Sequence, residues 1–185
     1  MIKKYGGMIP EGDAKCYARM LLERVWDIHQ RGFVQKPKNI IVFPSYQNGS
    51  ISRLKIADFG LVRRPRERYH MPDPWMPTFP GTAVYMSLES FIYGHISTTL
   101  DISSIGCIVL EMITGKLPWE YQDLTDLGIK IGFSIYSPKI PETMSSTGKD
   151  FLMKCFQWDL GKMWTVDMLL SHPFLLPDPS PIKSL

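Results

Sequence analysis

Acidic residues are missing from one long stretch: between Asp27 and Asp58 the chain carries neither Asp nor Glu. Cysteine is scarce as well. Cys16, Cys107 and Cys155 are odd in number and far apart, with no CxxC spacing. That excludes a disulfide framework and argues for reduced thiols in a cytoplasmic or nuclear setting. Long apolar runs are absent; the longest, Ile105 to Leu110, stops at Glu111 and falls far short of a membrane span. The basic start MIKKYGG is followed by no apolar core, so no signal peptide is expected. Neither charge dominates: 21 Lys and Arg stand against 18 Asp and Glu, a net +3. This mild excess gives no reason to expect a nucleic-acid partner.

What is present suits one soluble globular domain. The chain has 185 residues, 44% of them hydrophobic and 21% charged, enough to bury a core. Residues 13–29 predict an amphipathic helix: Tyr17, Met20, Leu21, Val25 and Ile28 recur at helical spacing, and Gly32 breaks it. Ile40 to Phe43 and Leu54 to Ala57 read as two short strands, with Asn48-Gly49 turning between them. Residues 62–80 carry Pro65, Pro72, Pro74, Pro77 and Pro80, which predict an irregular loop. Leu100 to Thr114 predicts a buried helix, capped by Thr98 or Thr99 and ended by Gly115. Gly148 to Trp158 and Val166 to Ser171 predict two more helices, the second capped by Thr165 and closed near Pro173. Residues 176–185 are expected to form a flexible tail.

Six motifs in sequence order carry more information than this pattern. KPKN at Lys36 to Asn39 precedes the hairpin, and KIADFGL at Lys55 to Leu61 leaves it. GTAVYMSLE at Gly81 to Glu89 follows the proline-rich loop, and DISSIGC at Asp101 to Cys107 opens the apolar helix. GKDFLMKCFQWD and WTVDMLLSHPF occupy the last helices. Together these resemble the C-terminal lobe of serine/threonine protein kinases, most closely plant mitogen-activated protein kinase kinase kinases. The resemblance covers residues 1–175. It implies a mainly α (α+β) fold with a small β-hairpin and a long irregular activation segment.

The resemblance also implies roles. Asp58 would chelate the Mg²⁺ that bridges the phosphates of ATP, and Asn39 would hold a second ion; both supply hard oxygen donors. Lys36 matches the lysine that neutralises the transferring phosphate, and Thr82 the threonine that shapes the same site. Asp101 would hold the catalytic-loop backbone through hydrogen bonds. Expected partners are protein kinases of a signalling cascade, with no nucleic acid and no membrane. The cluster Arg63, Arg64, Arg66 and Arg68 reads as a solvated part of the activation loop.

Departures from the family pattern matter as much. The family reads V-H-C-D-I-K-P-x-N, whereas Val34-Gln35-Lys36-Pro37-Lys38-Asn39 is three residues shorter and lacks the catalytic aspartate. His29 is the nearest titratable substitute, at the end of the preceding helix. Losing a positioned base costs roughly 10²–10⁴-fold in rate. No GxGxxG and no V-A-x-K strand occurs, so part of the nucleotide pocket has no wall within these residues. Glu89 would normally pair with an arginine, but Met163 stands there, with Lys162 as the nearest substitute. Ser103 and Leu88 replace a tryptophan and a proline. Three functions stay open: a kinase acting on another signalling kinase, a non-catalytic docking module, or a degenerate or mis-spliced product. Inactivity as written and a tendency to self-associate are expected.

Overall fold

The computed structural model describes residues 7–35, 40–43, 53–57, 59–67, 83–87, 90, 94–132, 137–157 and 159–177. Helix α1, Glu11–Gln30, starts where Asp13 and Ala14 donate their N–H groups to the Pro10 carbonyl, both at 2.9 Å. Its buried stripe is Ala14, Tyr17, Ala18, Leu21, Leu22 and Val25. Met20 and Ile28, expected in that stripe, are only half-buried. The small residues Ala14 and Ala18 are buried in the stripe instead. The helix ends in a Schellman turn: Phe33 N–H donates to the Ile28 carbonyl and Gly32 N–H to that of His29. Gly32 has φ +75°, where a side chain would be strained.

Strands β1, Ile40–Phe43, and β2, Arg53–Ile56, pair antiparallel with Ile40 opposite Ile56 and Phe43 opposite Arg53. The second strand begins one residue earlier than its sequence suggests. Alternation splits the ribbon by face. Ile40, Val42, Leu54 and Ile56 turn to the core, while Ile41 and Phe43 stay exposed. The Lys55 ammonium lies 4.8 Å from the centre of the Phe43 ring. The Asn48-Gly49 turn expected between the strands lies outside the described residues.

Helix α2, Thr98–Thr114, is the axis of the molecule. It is buried on every side from Leu100 through Leu110, with the polar Asp101, Ser103 and Ser104 among the buried residues. Ser97, and not Thr98 or Thr99, holds its N-cap position, and Ser97 makes no side-chain bond to the helix backbone. Its hydroxyl bonds that of Thr99 instead. Gly115 closes the helix, donating its N–H to the Glu111 carbonyl at 2.8 Å.

Helix α3, Leu124–Gly132, was not expected from periodicity, since only Leu127 and Ile131 are buried on it. These two cover a satellite core of Ala83, Val84 and Met86. Helix α4, Ser146–Cys155, starts two residues earlier and stops three earlier than its sequence suggests. Ser145 caps it, accepting from the Gly148 N–H. Helix α5, Val166–Leu170, is capped by Thr165 as expected, and a short turn at Pro173–Leu175 follows. One core of α1, α2, α4, α5 and the inner face of the hairpin holds the fold together. The fold is mainly helical with one small antiparallel ribbon, matching the sequence-based expectation.

Candidate functional site

Three constraints frame the site. Asp101, on the first turn of α2, is fully buried. Both of its carboxylate oxygens accept from the backbone N–H of Gln35, at 3.3 and 3.1 Å. Its Oδ2 also lies 2.7 Å from His29 Nε2, on the last turn of α1. A carboxylate at a helix N-terminus is favoured by the helix dipole, yet this one is also spent on another segment. It ties the end of α1 and the start of the loop at Lys36 to the central helix.

Next to this tie, Val34 and Arg63 pair as an isolated antiparallel bridge, with N–H to carbonyl bonds of 2.8 and 3.1 Å. The bridge joins the segment entering Lys36 to the segment that follows the short turn Phe59–Leu61. The hairpin register sets the third constraint. Ile40 opposite Ile56 means that the chain arriving from Asn39 and the chain leaving toward Asp58 share one end of the ribbon. Lys36, Asn39, Asp58 and Thr82 themselves lie outside the described residues; their flanks Gln35, Ile40, Ala57, Phe59 and Ala83 are described.

A second anchor holds the segment after Thr82. Residues Ala83–Tyr85 form a single tight turn. The Ser104 hydroxyl of α2 donates to the Tyr85 carbonyl at 2.8 Å, and the Tyr85 hydroxyl donates to Glu111 at 2.5 Å. Burial first, then the bond to Glu111, pushes the Tyr85 phenol well above its ordinary range. Tyr85 is therefore a neutral donor at every physiological pH. Neither His29 nor this tyrosine–glutamate tie was singled out from sequence as a site contact. Both partners lie on different elements, so no local spacing could reveal them.

Other expectations resolve separately. Lys162, considered as a substitute partner for Glu89, pairs with Asp159 at 3.2 Å. Met163 packs against the main core, and Glu89 and Leu88 lie outside the described residues. Ser103 faces α4, its hydroxyl 3.5 Å from the Cys155 carbonyl. The Arg63 guanidinium donates to the Val62 carbonyl at 2.8 Å, while Arg64 and Arg66 are exposed. That agrees with a solvated segment. Among the described residues no helix is long and apolar enough to cross a membrane, and no cluster of His, Cys, Asp or Glu could hold a metal ion.

The donor set suits Mg²⁺ in residue type: Asn39 and Asp58 offer an amide and a carboxylate oxygen, and the shared ribbon end brings their segments together. No second carboxylate is available for proton abstraction between Asp27 and Asp58.

Comparison with known proteins agrees with the motif order. The family model described as Protein kinase domain matches residues 1–175. Mitogen-activated protein kinase kinase kinase 20 of Arabidopsis thaliana is 36% identical over 184 residues, covering 96% of this chain and 52% of that protein. Mitogen-activated protein kinase kinase kinase 17 of the same plant is 30% identical, covering 97% and 47%. Human mitogen-activated protein kinase kinase kinase 4 is 34% identical, covering 87% of this chain and 10% of its own length. The chain thus spans about half the length, or less, of these curated relatives.

Proposed function

The chain belongs to the protein kinase domain family, and on that premise we propose that its site is catalytically silent as written and that the domain acts by docking kinases of a signalling cascade. Its relatives make it a serine/threonine kinase-like signalling domain. The family reaction moves phosphate from ATP to a protein hydroxyl. Silence is the finer step, and one observation supports it. Asp101 still holds the Gln35 backbone at 3.1 Å, while the loop that begins there carries no carboxylate.

Each part has a stated task. Bound Mg²⁺ would neutralise the phosphates of the nucleotide, with Asp58 and Asn39 as its holders. Lys36 would add a fixed positive charge beside the phosphate, and Thr82 would shape the wall. Asp101, through Gln35, would position the loop, and the Val34–Arg63 bridge would fix its entry. None of these groups accepts the proton of a substrate hydroxyl. His29 is already hydrogen-bonded to Asp101. The missing base alone lowers the rate by roughly 10²–10⁴-fold. A folded helical lobe with an idle site can still compete with active kinases for a shared partner.

Calorimetry of Mg-dependent ATP binding, with Asp58→Ala as control, tests the half-site; radiolabelled phosphate transfer to casein tests silence. Weak binding lost in Asp58→Ala, with no transfer, is the expected result. Phosphate incorporation abolished by Asp58→Ala would overturn silence. Docking is tested by capture of a purified plant mitogen-activated protein kinase kinase, and failure to capture it would remove that part.

A further inference from the structure

The outer face of the β-ribbon sorts its side chains into two rows. Residues directly opposite each other in an antiparallel pair share a face, so the register puts Ile41 beside Lys55 and Phe43 beside Arg53. All four are exposed. The β1 row is apolar and the β2 row is cationic. The inner face, with Ile40, Val42, Leu54 and Ile56 turned to the core, holds this arrangement in place.

The segment that contains the ribbon also holds the positive charge of the chain. Between Asp27 and Asp58 stand Arg31, Lys36, Lys38, Arg53 and Lys55 with no acid, a net +5. The remaining residues carry 16 Lys and Arg against 18 Asp and Glu, a net −2. Neither Arg53 nor Lys55 has an ion pair among the described residues. An apolar row alone would leave the occupant open, but the cationic row beside it selects an acidic partner over a basic one. The Lys55 ammonium already lies 4.8 Å from the centre of the Phe43 ring. That side of the ring is taken and cannot stack on a nucleic-acid base, so the face suits a protein segment better.

We propose that this face docks an extended segment of a partner protein in which acidic and apolar residues alternate. Successive side chains of an extended chain point to opposite sides. Laid between the two rows, such a segment sets its apolar side chains on Ile41 and Phe43 and its carboxylates beside Lys55 and Arg53. Alternate residues of a strand lie about 6–7 Å apart. Both rows have that spacing, because each consists of alternate residues of one strand. The inference names a surface and a partner chemistry; it rests on neither nucleotide binding nor the capture of a cascade kinase.

Fluorescence anisotropy of a dye-labelled peptide of alternating Glu and Leu, titrated with the full chain, tests the face. One comparator alternates Lys and Leu; the other has the first peptide's composition with its Glu and Leu in separate blocks. Saturable binding of the alternating acidic peptide, tighter than that of either comparator, is expected. Reversing the cationic row, Arg53→Glu with Lys55→Glu, should weaken it at least about fivefold and turn the preference toward the Lys peptide. Both side chains are exposed, so this variant should keep its melting temperature. Ile41→Thr with Phe43→Thr should also weaken binding, which charge attraction alone would not explain. Equal binding of the Glu and Lys peptides, equal binding of the alternating and block peptides, or indifference to charge reversal would each overturn the proposal. Tighter binding of an oligothymidylate, or a dimer of the chain that excludes the peptide, would also overturn it. If the charge-reversed variant fails to fold, the three peptides on the unsubstituted chain still decide.

Discussion

Asp101 and His29 are 72 residues apart in the chain and 2.7 Å apart in space. The carboxylate that accepts from His29 also accepts from the Gln35 backbone, so one buried group joins α1, α2 and the entry to the loop. Asp101→Ala leaves a buried amide without an acceptor and should cost about 3 kcal/mol in urea unfolding. His29→Ala removes only one of the contacts and should cost about 1–2 kcal/mol. Equal losses would show that the Gln35 amide gains nothing from the carboxylate.

Helices α2 and α4 touch at Gly106. A Cβ added there would lie 2.6 Å from Cys155 Cβ and 2.9 Å from the Phe156 ring. Gly106→Ala gains about 1 kcal/mol of helix propensity, but overpacking costs about 1–3 kcal/mol. The melting temperature should therefore fall. A rise would mean that the helices part more easily than this contact implies.

Cys107 and Cys155 are buried, and burial pushes both thiols far above their ordinary range; Glu111 adds to the effect at Cys107. At pH 8 neither should react with iodoacetamide in the native protein, whereas the half-exposed Cys16 should. Intact mass would show one adduct folded and three unfolded. The same shift makes stability depend on pH. The unfolded chain ionises these thiols near about 8.5 and its tyrosines near about 10, while folded Cys107, Cys155 and Tyr85 keep their protons. Their contribution is fully present below about pH 8.5 and falls as pH rises. Melting temperature rising between pH 8.5 and about 10 would contradict this.

The serine at the start of α4 is a stronger cap than the one at the start of α2. Ser145 accepts from the Gly148 N–H at 3.0 Å, and its own N–H donates to Glu11 at 3.1 Å. The Ser97 side chain makes no capping bond to its helix backbone. Ser145→Ala should cost about 1 kcal/mol and Ser97→Ala much less. The reverse order in chemical denaturation would refute the capping assignment.

The outer face of the hairpin is apolar: Ile41 is 49% exposed and Phe43 43%. Exposed apolar patches promote association. Ile41→Lys with Phe43→Thr should shift sedimentation toward the monomer and leave the fold intact, because both side chains point away from the core. Unchanged sedimentation would place any association elsewhere.

Much of the fold was legible before any coordinates. The helix at 13–29 announced itself by spacing and by Gly32, and the apolar run Ile105 to Leu110, closed by Gly115, marked a buried helix. Thr165 marked its own cap. Helix α3 was hidden because its two buried residues, Leu127 and Ile131, form too short a pattern to stand out. The cap of α2 was placed at Thr98 or Thr99 and lies at Ser97 for a related reason: hydroxyl residues are adjacent there, and only backbone geometry selects among them. At the site, motif order pointed to Asp58, Asn39, Lys36 and Thr82, while His29 was set aside.

The sequence by itself determined the family, the helical character of the lobe and the absence of a carboxylate between Asp27 and Asp58. These are properties of residue order and type, and they survive any folding. Only the tertiary structure decided that Asp101 serves Gln35 and His29 together and that Tyr85 is anchored to Glu111. Such contacts join elements far apart in the chain. Their geometry is set by how the apolar faces of those elements pack, and local periodicity carries no record of it.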